Sequence, residues 1–191
     1  GCATAYLLSK NGLEVTLIEE DSIGRGASGF AMGLLNCLTA TKSPQPLKAL
    51  VQEGLRMHIA WASELKRDSG IDYNAHPVDS LYLSFNKVDE QELKQHDQYA
   101  RQINEYSLEW LTRSDIALLE PEISKKVDMG LHVKGPWMID SYNYTLALSK
   151  AAQNFGVQIM NGSVTNLKRS EHGLKEVVFV NGEVIKAKHV V

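Results

Sequence analysis

Residues 1–20 read GCATAYLLSKNGLEVTLIEE and decide the fold class. Small and apolar residues over 1–10 predict a short helix. Asn11-Gly12 is a typical helix stop, because glycine adopts the left-handed conformation at little cost. Val15-Thr16-Leu17-Ile18 is a brief β-branched run, typical of a buried parallel strand, and it ends in Glu19-Glu20-Asp21. Helix, stop, strand and acid in this order predict the second half of a βαβ unit.

Such a unit can hold a dinucleotide at its glycine-rich turn. Glycine lets the backbone approach a pyrophosphate at the helix N-terminus, and an acid about 20 residues further on accepts hydrogen bonds from a ribose. Gly1 is a candidate for the last glycine of such a turn, and Glu19 for the ribose acceptor. The same residues are equally typical of any α/β domain with a small-residue helix, so that alternative stays open.

A second glycine-rich stretch follows the acid. Residues 24–36 read GRGASGFAMGLLN and are too apolar for a solvated loop. Backbone amides among the small residues, together with the Ser28 hydroxyl, can hold phosphate or ribityl oxygens. Gly33-Leu34 can pass close to a flat ring. The alternative is a buried, glycine-kinked loop that packs on the sheet.

The remaining elements alternate between helices and strands. A long amphipathic helix is predicted from Pro46 to Ser69, a strand at 81–85, a charged helix at 89–106, and a turn at 116–119 capped by Ser114 or Asp115. Further predictions are strands at 130–134, 157–161 and 164–168, a helix at 143–155, and a hairpin at 177–188 with a two-residue turn at Asn181-Gly182. This pattern is α/β mixed with α+β, as expected where a second domain interrupts a nucleotide-binding domain.

Composition limits the functional classes. The 191 residues carry a net charge of −3, which gives no electrostatic footprint for nucleic acid. Two cysteines and scattered histidines predict neither a disulfide framework nor a metal site, and they favour a reduced, cytoplasmic location. No apolar run is long enough to predict a membrane span. Because the chain starts on Gly1 and stops on an apolar run, we expect a piece of a longer protein, truncated at both ends.

The ordered set of motifs resembles the D-amino-acid oxidase superfamily, which includes glycine oxidase, sarcosine oxidase and the D-amino-acid dehydrogenases. The resemblance begins with 1–8, 15–19 and 26–29, together with Gly33-Leu34. It continues through Leu118-Leu119-Glu120-Pro121, Ile139-Asp140-Ser141-Tyr142 and Gly162-Ser163-Val164, and ends at His189-Val190-Val191. It spans nearly the whole chain, although Ser141 stands where proline is commoner.

The resemblance implies FAD as cofactor and assigns its contacts. The implied roles are pyrophosphate binding by Gly1, adenosine-ribose binding by Glu19 and Glu20, phosphate binding by Ala27 and Ser28, flavin contact by Met32, Gly33 and Leu34, and adenine contact by Val164. Glu20-Asp21 departs from the family, where a basic or small residue often follows the ribose acid, and this leaves the role of Glu20 open.

The implied fold is an FAD-binding Rossmann-like domain of the glutathione-reductase type, interrupted by an α+β substrate domain. We expect the FAD-binding domain at 1–77 and 139–191 and the substrate domain at 78–138. The implied activity is oxidation of a small amine or amino acid (glycine, sarcosine or a D-amino acid) by hydride transfer to flavin. Electrons would pass on to O₂ or a quinone-type acceptor. The family's substrate-binding arginine lies in the C-terminal half, so no catalytic residue is assigned.

Three alternatives remain open at this point. The chain can belong to an FAD-dependent tRNA-modifying oxidase or to an enzyme like glycerol-3-phosphate dehydrogenase. It can also be a nucleotide-binding module of the NAD type, although the glycine-rich stretch at 24–36 argues against that alternative.

Overall fold

The computed structural model describes residues 1–169, 173 and 175–191, which form two compact units. The first comprises Gly1–Ala31, Leu65–Tyr73 and Ser141–Val191, and the second comprises Met32–Glu64 and Asn74–Asp140. The α-helices are α1 (Cys2–Lys10), α2 (Ala27–Phe30), α3 (Gln45–Ser69), α4 (Lys87–Ala100), α5 (Arg113–Leu119) and α6 (Ser141–Asn154), with a 3₁₀ helix at Cys37–Ala40. The strands are β1 (Thr16–Glu19), β2 (Leu34–Leu35), β3 (His76–Ser84), β4 (Ser107–Thr112), β5 (Met129–Met138), β6 (Gln158–Asn161), β7 (Val164–Arg169), β8 (Lys175–Phe179) and β9 (Val184–Ala187).

The first unit is built on a parallel strand pair. β1 pairs with β6 in a register that joins Thr16 to Gln158 and Glu19 to Asn161. Helix α1 packs against α6, and the buried faces of both helices carry alanine and serine, which allow close approach. The predicted order of helix, stop and parallel strand is therefore present as α1, Asn11-Gly12 and β1.

An antiparallel meander of β7, β8 and β9 completes the first unit. The predicted two-residue turn at Asn181-Gly182 is wrong: four residues, 180–183, connect β8 to β9. A two-residue turn of the favoured type needs positive φ at both central residues, and here only Gly182 has it, at +84°. The Asn181 side chain instead accepts a hydrogen bond from the Glu183 amide at 2.9 Å.

The second unit is a four-stranded antiparallel sheet. β5 is the central strand: β3 pairs along one side, while β4 and then β2 pair along the other. β5 continues through Gly135-Pro136, where the sequence predicted its end at 134. A proline is tolerated there because the pairing with β3 shifts register between Pro77 and Asp79.

Both faces of this sheet carry apolar clusters. Leu131 and Val133 are fully buried on one face, together with residues of the 3₁₀ helix, α3 and α4. On the other face, Leu111, Ile116 and Val127 form a smaller cluster beneath α5. Burial of apolar surface is the dominant favourable term in folding.

Two local predictions in the second unit need correction. The charged helix predicted at 89–106 ends at Ala100, and the unpredicted strand β4 follows at Ser107–Thr112. Helix α5 is capped by Thr112, not by Ser114 or Asp115. The Thr112 hydroxyl accepts from the Asp115 amide, while the Asp115 carboxylate accepts from the Thr112 amide. The assignment of 1–77, 78–138 and 139–191 to functional domains stays a prediction; the compact units divide the chain at other points.

Candidate functional site

The N-terminus of α1 is the first part of the candidate site. Gly1 is the N-cap residue and no side chain caps the helix. A Cβ on Gly1 would lie 3.4 Å from Leu17 of β1, so glycine brings the helix start close to the strand. The first amides of an α-helix have no partner within the helix, and together with the helix dipole they favour an anion.

The acidic end of β1 lies next to the loop that follows β6. Glu19 accepts a hydrogen bond from the Asp21 amide at 3.1 Å through its side chain, and from the Gly162 amide at 2.9 Å through its backbone carbonyl. The Ser163 hydroxyl donates to Glu20 Oε2 at 2.9 Å, and Asn161 Nδ2 donates to the Asp21 carbonyl at 2.9 Å. The parallel register thus joins residues 19–21 to residues 161–163.

Electrostatics around this acidic end are partly balanced. Asp21 pairs with Arg25, with Arg25 Nη1 2.7 Å from Asp21 Oδ1. The side chains of both residues are largely exposed, so solvent weakens the pair. The negative charge after the strand, which the sequence left unexplained, is therefore met by one cation and by the hydroxyl of Ser163.

The loop at 22–31 depends on close packing between glycine residues. Gly24 has φ +80°, and a Cβ on it would lie 2.9 Å from the Tyr142 ring. A Cβ on Gly29 would overlap the carbonyl oxygen of Gly24. The Ser141 hydroxyl donates to the Ala31 carbonyl at 2.5 Å, which fixes the end of the loop on the start of α6. These contacts explain why glycine occupies positions 24 and 29.

The predicted phosphate residues lie on this loop. Ala27 and Ser28 form the first turn of α2, are exposed, and follow Gly26, which has no capping side chain. Val164 begins β7 in the same unit and is 41% exposed. The unit therefore holds Gly1, Glu19, Glu20, Ala27, Ser28 and Val164, and hydrogen bonds join Glu19 and Glu20 to the segment that leads into Val164.

Met32, Gly33 and Leu34 belong to the second unit. Met32 is 78% exposed, while Leu34 begins β2 and pairs with Met138. Gly33 has φ +82°, and a Cβ there would overlap the carbonyl oxygen of Ile139. The Ile139 amide donates to the Gly33 carbonyl at 3.0 Å. Glycine at this position is therefore required by both backbone conformation and space.

Residues 161–163 contact the acidic end of β1, and the sequence predicts only part of this arrangement. Val164 was assigned from the resemblance, but the hydrogen bonds made by Asn161 and Ser163 were not. Both residues follow the second parallel strand, and this position in the sequence could have indicated their role, because ligands bind at the carboxyl ends of such strands.

Burial raises the pKa of the Cys2 thiol, which fits a packing role for this residue on α1.

Within residues 1–169, 173 and 175–191, no group of three or more His, Cys, Asp or Glu side chains is arranged to hold a metal ion. Over the same residues, no helix combines the length and apolar character that a membrane crossing requires.

The family model described as FAD dependent oxidoreductase matches residues 1–191. Glycerol 3-phosphate oxidase from Mycoplasma pneumoniae is 29% identical over 187 residues, which cover 96% of this chain and 47% of that protein. Glycine oxidase from Geobacillus kaustophilus is 26% identical over 157 residues, which cover 82% of this chain and 41% of that protein. The chain spans about half the length of these relatives.

Two solved structures of such oxidases share the fold of this chain. Glycine oxidase from Geobacillus kaustophilus has a TM-score of 0.88 at 23% identity, covering 98% of this chain and 50% of that one. The FAD-bound L-α-glycerophosphate oxidase from Mycoplasma pneumoniae has a TM-score of 0.82 at 28% identity, covering 98% and 49%. The chain therefore belongs to the family of FAD-dependent oxidoreductases, which are enzymes with FAD as their cofactor.

Proposed function

We propose that the full-length protein oxidises the amine of a small amino acid, such as glycine, sarcosine or a D-amino acid. Three relatives that match this chain, from Geobacillus kaustophilus, Bacillus licheniformis and Bacillus subtilis, are glycine oxidases. Electrons pass on to O₂ or a quinone-type acceptor in this proposal. A cytoplasmic location stays a prediction.

The first unit has the donor set that a dinucleotide cofactor needs, and this observation carries the cofactor site. The uncapped N-terminus of α1 offers backbone amides to a pyrophosphate at Gly1. The exposed first turn of α2 offers the Ala27 and Ser28 amides and the Ser28 hydroxyl to phosphate oxygens. Both sets of donors are neutral, so the phosphate charge is met by dipoles.

The acidic end of β1 fits a ribose. Glu19 and Glu20 each use one carboxylate oxygen in the hydrogen bonds described above, and a carboxylate has a second oxygen for a diol. In this proposal Glu19 is the principal acceptor for the adenosine ribose. Glu20 contributes through the same loop, with its orientation held by Ser163, and Val164 lies against the adenine.

Met32, Gly33 and Leu34 are proposed to lie against the flavin ring. The exposed, flexible Met32 side chain suits a flat apolar surface. Gly33 and Leu34 follow it directly, with the Gly33 carbonyl held by the Ile139 amide. When bound, FAD supplies the hydride-accepting ring, while the protein contributes orientation and electrostatics.

Oxidation of glycerol 3-phosphate is a second candidate function. The specific observation in its favour is the match to glycerol 3-phosphate oxidase, which covers nearly the whole of this chain. Both candidate reactions remove a hydride from a carbon that bears a heteroatom, and the same FAD site serves either substrate.

The test is anaerobic reduction of the flavin in the full-length protein. Glycine, sarcosine, a set of D-amino acids and glycerol 3-phosphate are added separately while the visible flavin band is recorded. Bleaching by an amine supports the first candidate, and bleaching by glycerol 3-phosphate alone supports the second. A bound flavin that none of these reduces contradicts both and favours the tRNA-modifying alternative.

A further inference from the structure

A hydrogen-bonded cluster holds the segment that follows the proposed flavin contacts. Asn36 is 8% exposed and lies directly after β2. Its Nδ2 donates to the Tyr82 hydroxyl at 2.7 Å, and its Oδ1 accepts from the Leu38 amide at 2.9 Å. The Tyr106 hydroxyl donates to the same Oδ1 at 3.3 Å and accepts from the Cys37 amide at 2.8 Å.

These contacts join distant parts of the second unit. Tyr82 lies on β3 and Tyr106 immediately precedes β4, so they are 46 and 70 residues away from Asn36 in sequence. Burial raises the pKa of both tyrosines, so both hydroxyls stay protonated at neutral pH and remain able to donate. The hydroxyls of Tyr82 and Tyr106 therefore hold the segment that follows β2 against the sheet by hydrogen bonds.

The other end of the segment is held by the backbone. Leu34 and Leu35 pair with Met138 and Trp137 of β5, and the Gly33 carbonyl accepts from the Ile139 amide at 3.0 Å. Residues 33–38 are thus held upstream by strand pairing and downstream by the two tyrosines. A segment held at both ends has little freedom to shift.

The position of Tyr106 is itself determined by its neighbours. Gly135 has φ +114°, and a Cβ on it would lie 2.9 Å from Cδ1 of the Tyr106 ring. The preceding residue, Glu105, is paired with Arg56, with Nε 2.9 Å from Oε1. The Tyr106 ring therefore packs against the backbone of Gly135, and the ion pair with Arg56 holds the preceding residue, Glu105.

We propose that Tyr82 and Tyr106 are positioning residues for the flavin reaction, acting through Asn36 and the Cys37 amide to fix the backbone at 33–37. This inference rests on the proposed contact of 32–34 with the flavin. Loss of either hydroxyl leaves the packing of the ring but releases the segment, so the flavin environment and the rate of hydride transfer change more than stability does.

The test compares Tyr106→Phe and Tyr82→Phe with Tyr99→Phe in the full-length protein loaded with FAD. Tyr99 belongs to the same apolar cluster, and its hydroxyl contacts Gln52 at 3.5 Å, not the Asn36 network. The measurements are the visible absorption and circular dichroism of bound flavin, and kcat and KM with whichever substrate reduces the wild type.

We expect altered flavin spectra and a fall in kcat of about tenfold with little change in KM for the two network variants, since small displacements of reacting groups are costly. Tyr99→Phe keeps the wild-type spectrum and kcat. Tyr82→Phe removes the partner of a single hydrogen bond and provides the test if Tyr106→Phe does not fold.

Two negative results have different meanings. In the first, the wild type binds FAD and a substrate reduces it, but all three variants share the wild-type spectrum and kcat. The positioning role is then overturned and the proposed function stands. If the wild type binds no FAD, the proposed function fails and the positioning role fails with it.

Discussion

The Tyr6 hydroxyl donates a hydrogen bond to Asp68 Oδ2 at 2.8 Å, across 62 residues of sequence. Lys10 Nζ lies 3.1 Å from the same oxygen and donates to the Tyr6 hydroxyl at 2.9 Å. The Asp68 side chain is only 10% exposed. This cluster joins the last turn of α1 to the end of α3 within the first unit, so its removal tests how strongly those two helices are held together.

Asp68→Asn is expected to lower the free energy of unfolding by about 1–3 kcal/mol, because it removes a largely buried charge partner of Lys10. The matched control is Asp72→Asn, whose exposed pair with Lys66 is expected to contribute less than about 1 kcal/mol. Urea denaturation of the two variants measures the difference. Equal losses would show that the buried cluster is no stronger than a surface ion pair.

The Asp68 contribution is also expected to depend on pH. Burial opposes ionisation of this carboxyl, but hydrogen bonds from Tyr6 and Lys10 outweigh it and hold the pKa below its ordinary value of 3.8. Because the pKa of Asp68 is lower in the folded state, its ionised form stabilises the fold. This stabilisation is complete at pH values above the pKa in the unfolded state, and it is lost as pH falls through the pKa in the folded state. The difference in unfolding free energy between wild type and Asp68→Asn should therefore be constant from pH 7 to about 5 and shrink below pH 4. A constant difference down to pH 2 would contradict this.

Gly29→Ala is expected to destabilise the protein by at least about 2 kcal/mol, because its Cβ would overlap the carbonyl oxygen of Gly24. Gly26→Ala is the control: φ is −81° and nothing lies within 4 Å of a Cβ, so a change within about 0.5 kcal/mol is expected. Thermal unfolding of both variants checks the pair. Similar melting temperatures would show that the loop moves to accept a methyl group.

Thr112→Ala is expected to cost about 1 kcal/mol, since it removes the hydroxyl that caps α5. Ser114→Ala, at the position that sequence reasoning favoured as a cap, should change stability by less than about 0.5 kcal/mol. Chemical denaturation measures both. A larger effect at Ser114 would restore the sequence-based assignment.

Glu19→Gln is expected to weaken FAD binding by about tenfold in the full-length protein, because the proposed acceptor of the ribose hydroxyls changes from charged to neutral. Glu14→Gln, at an exposed position before β1, should leave affinity unchanged. Titration of the apoprotein with FAD, followed by quenching of flavin fluorescence, gives both dissociation constants. Unchanged affinity for Glu19→Gln would remove this residue from the proposed ribose site.

Sequence reasoning succeeded where a local pattern has a single physical interpretation. Glycine at 70 has φ +74° and ends α3 next to its predicted last residue, because few other residues adopt that conformation easily. The family and its cofactor also follow from the sequence, since the order of short motifs along the chain is more specific than any one of them.

The errors arose where long-range pairing determines local structure. β4 alternates Ser107, Leu108, Glu109 and Trp110, a period of two that is visible in the sequence, yet the preceding charged run favoured a longer helix. The passage of β5 through Pro136 depends on the register of β3, which no local pattern encodes. The contacts of Asn161 and Ser163 required the parallel register, which joins segments about 140 residues apart.

That register also has a consequence for biosynthesis. β1 finds its partner β6 only after 142 further residues have left the ribosome, because Thr16 pairs with Gln158. At about 5–20 residues per second, this delay is roughly 7–28 s, far longer than local helix formation requires. All of the second unit emerges within that interval and can collapse first. The pairing of β1 with β6, and the hydrogen bonds from Asn161 and Ser163 to the acidic end of β1, can therefore form only late in the synthesis of these residues.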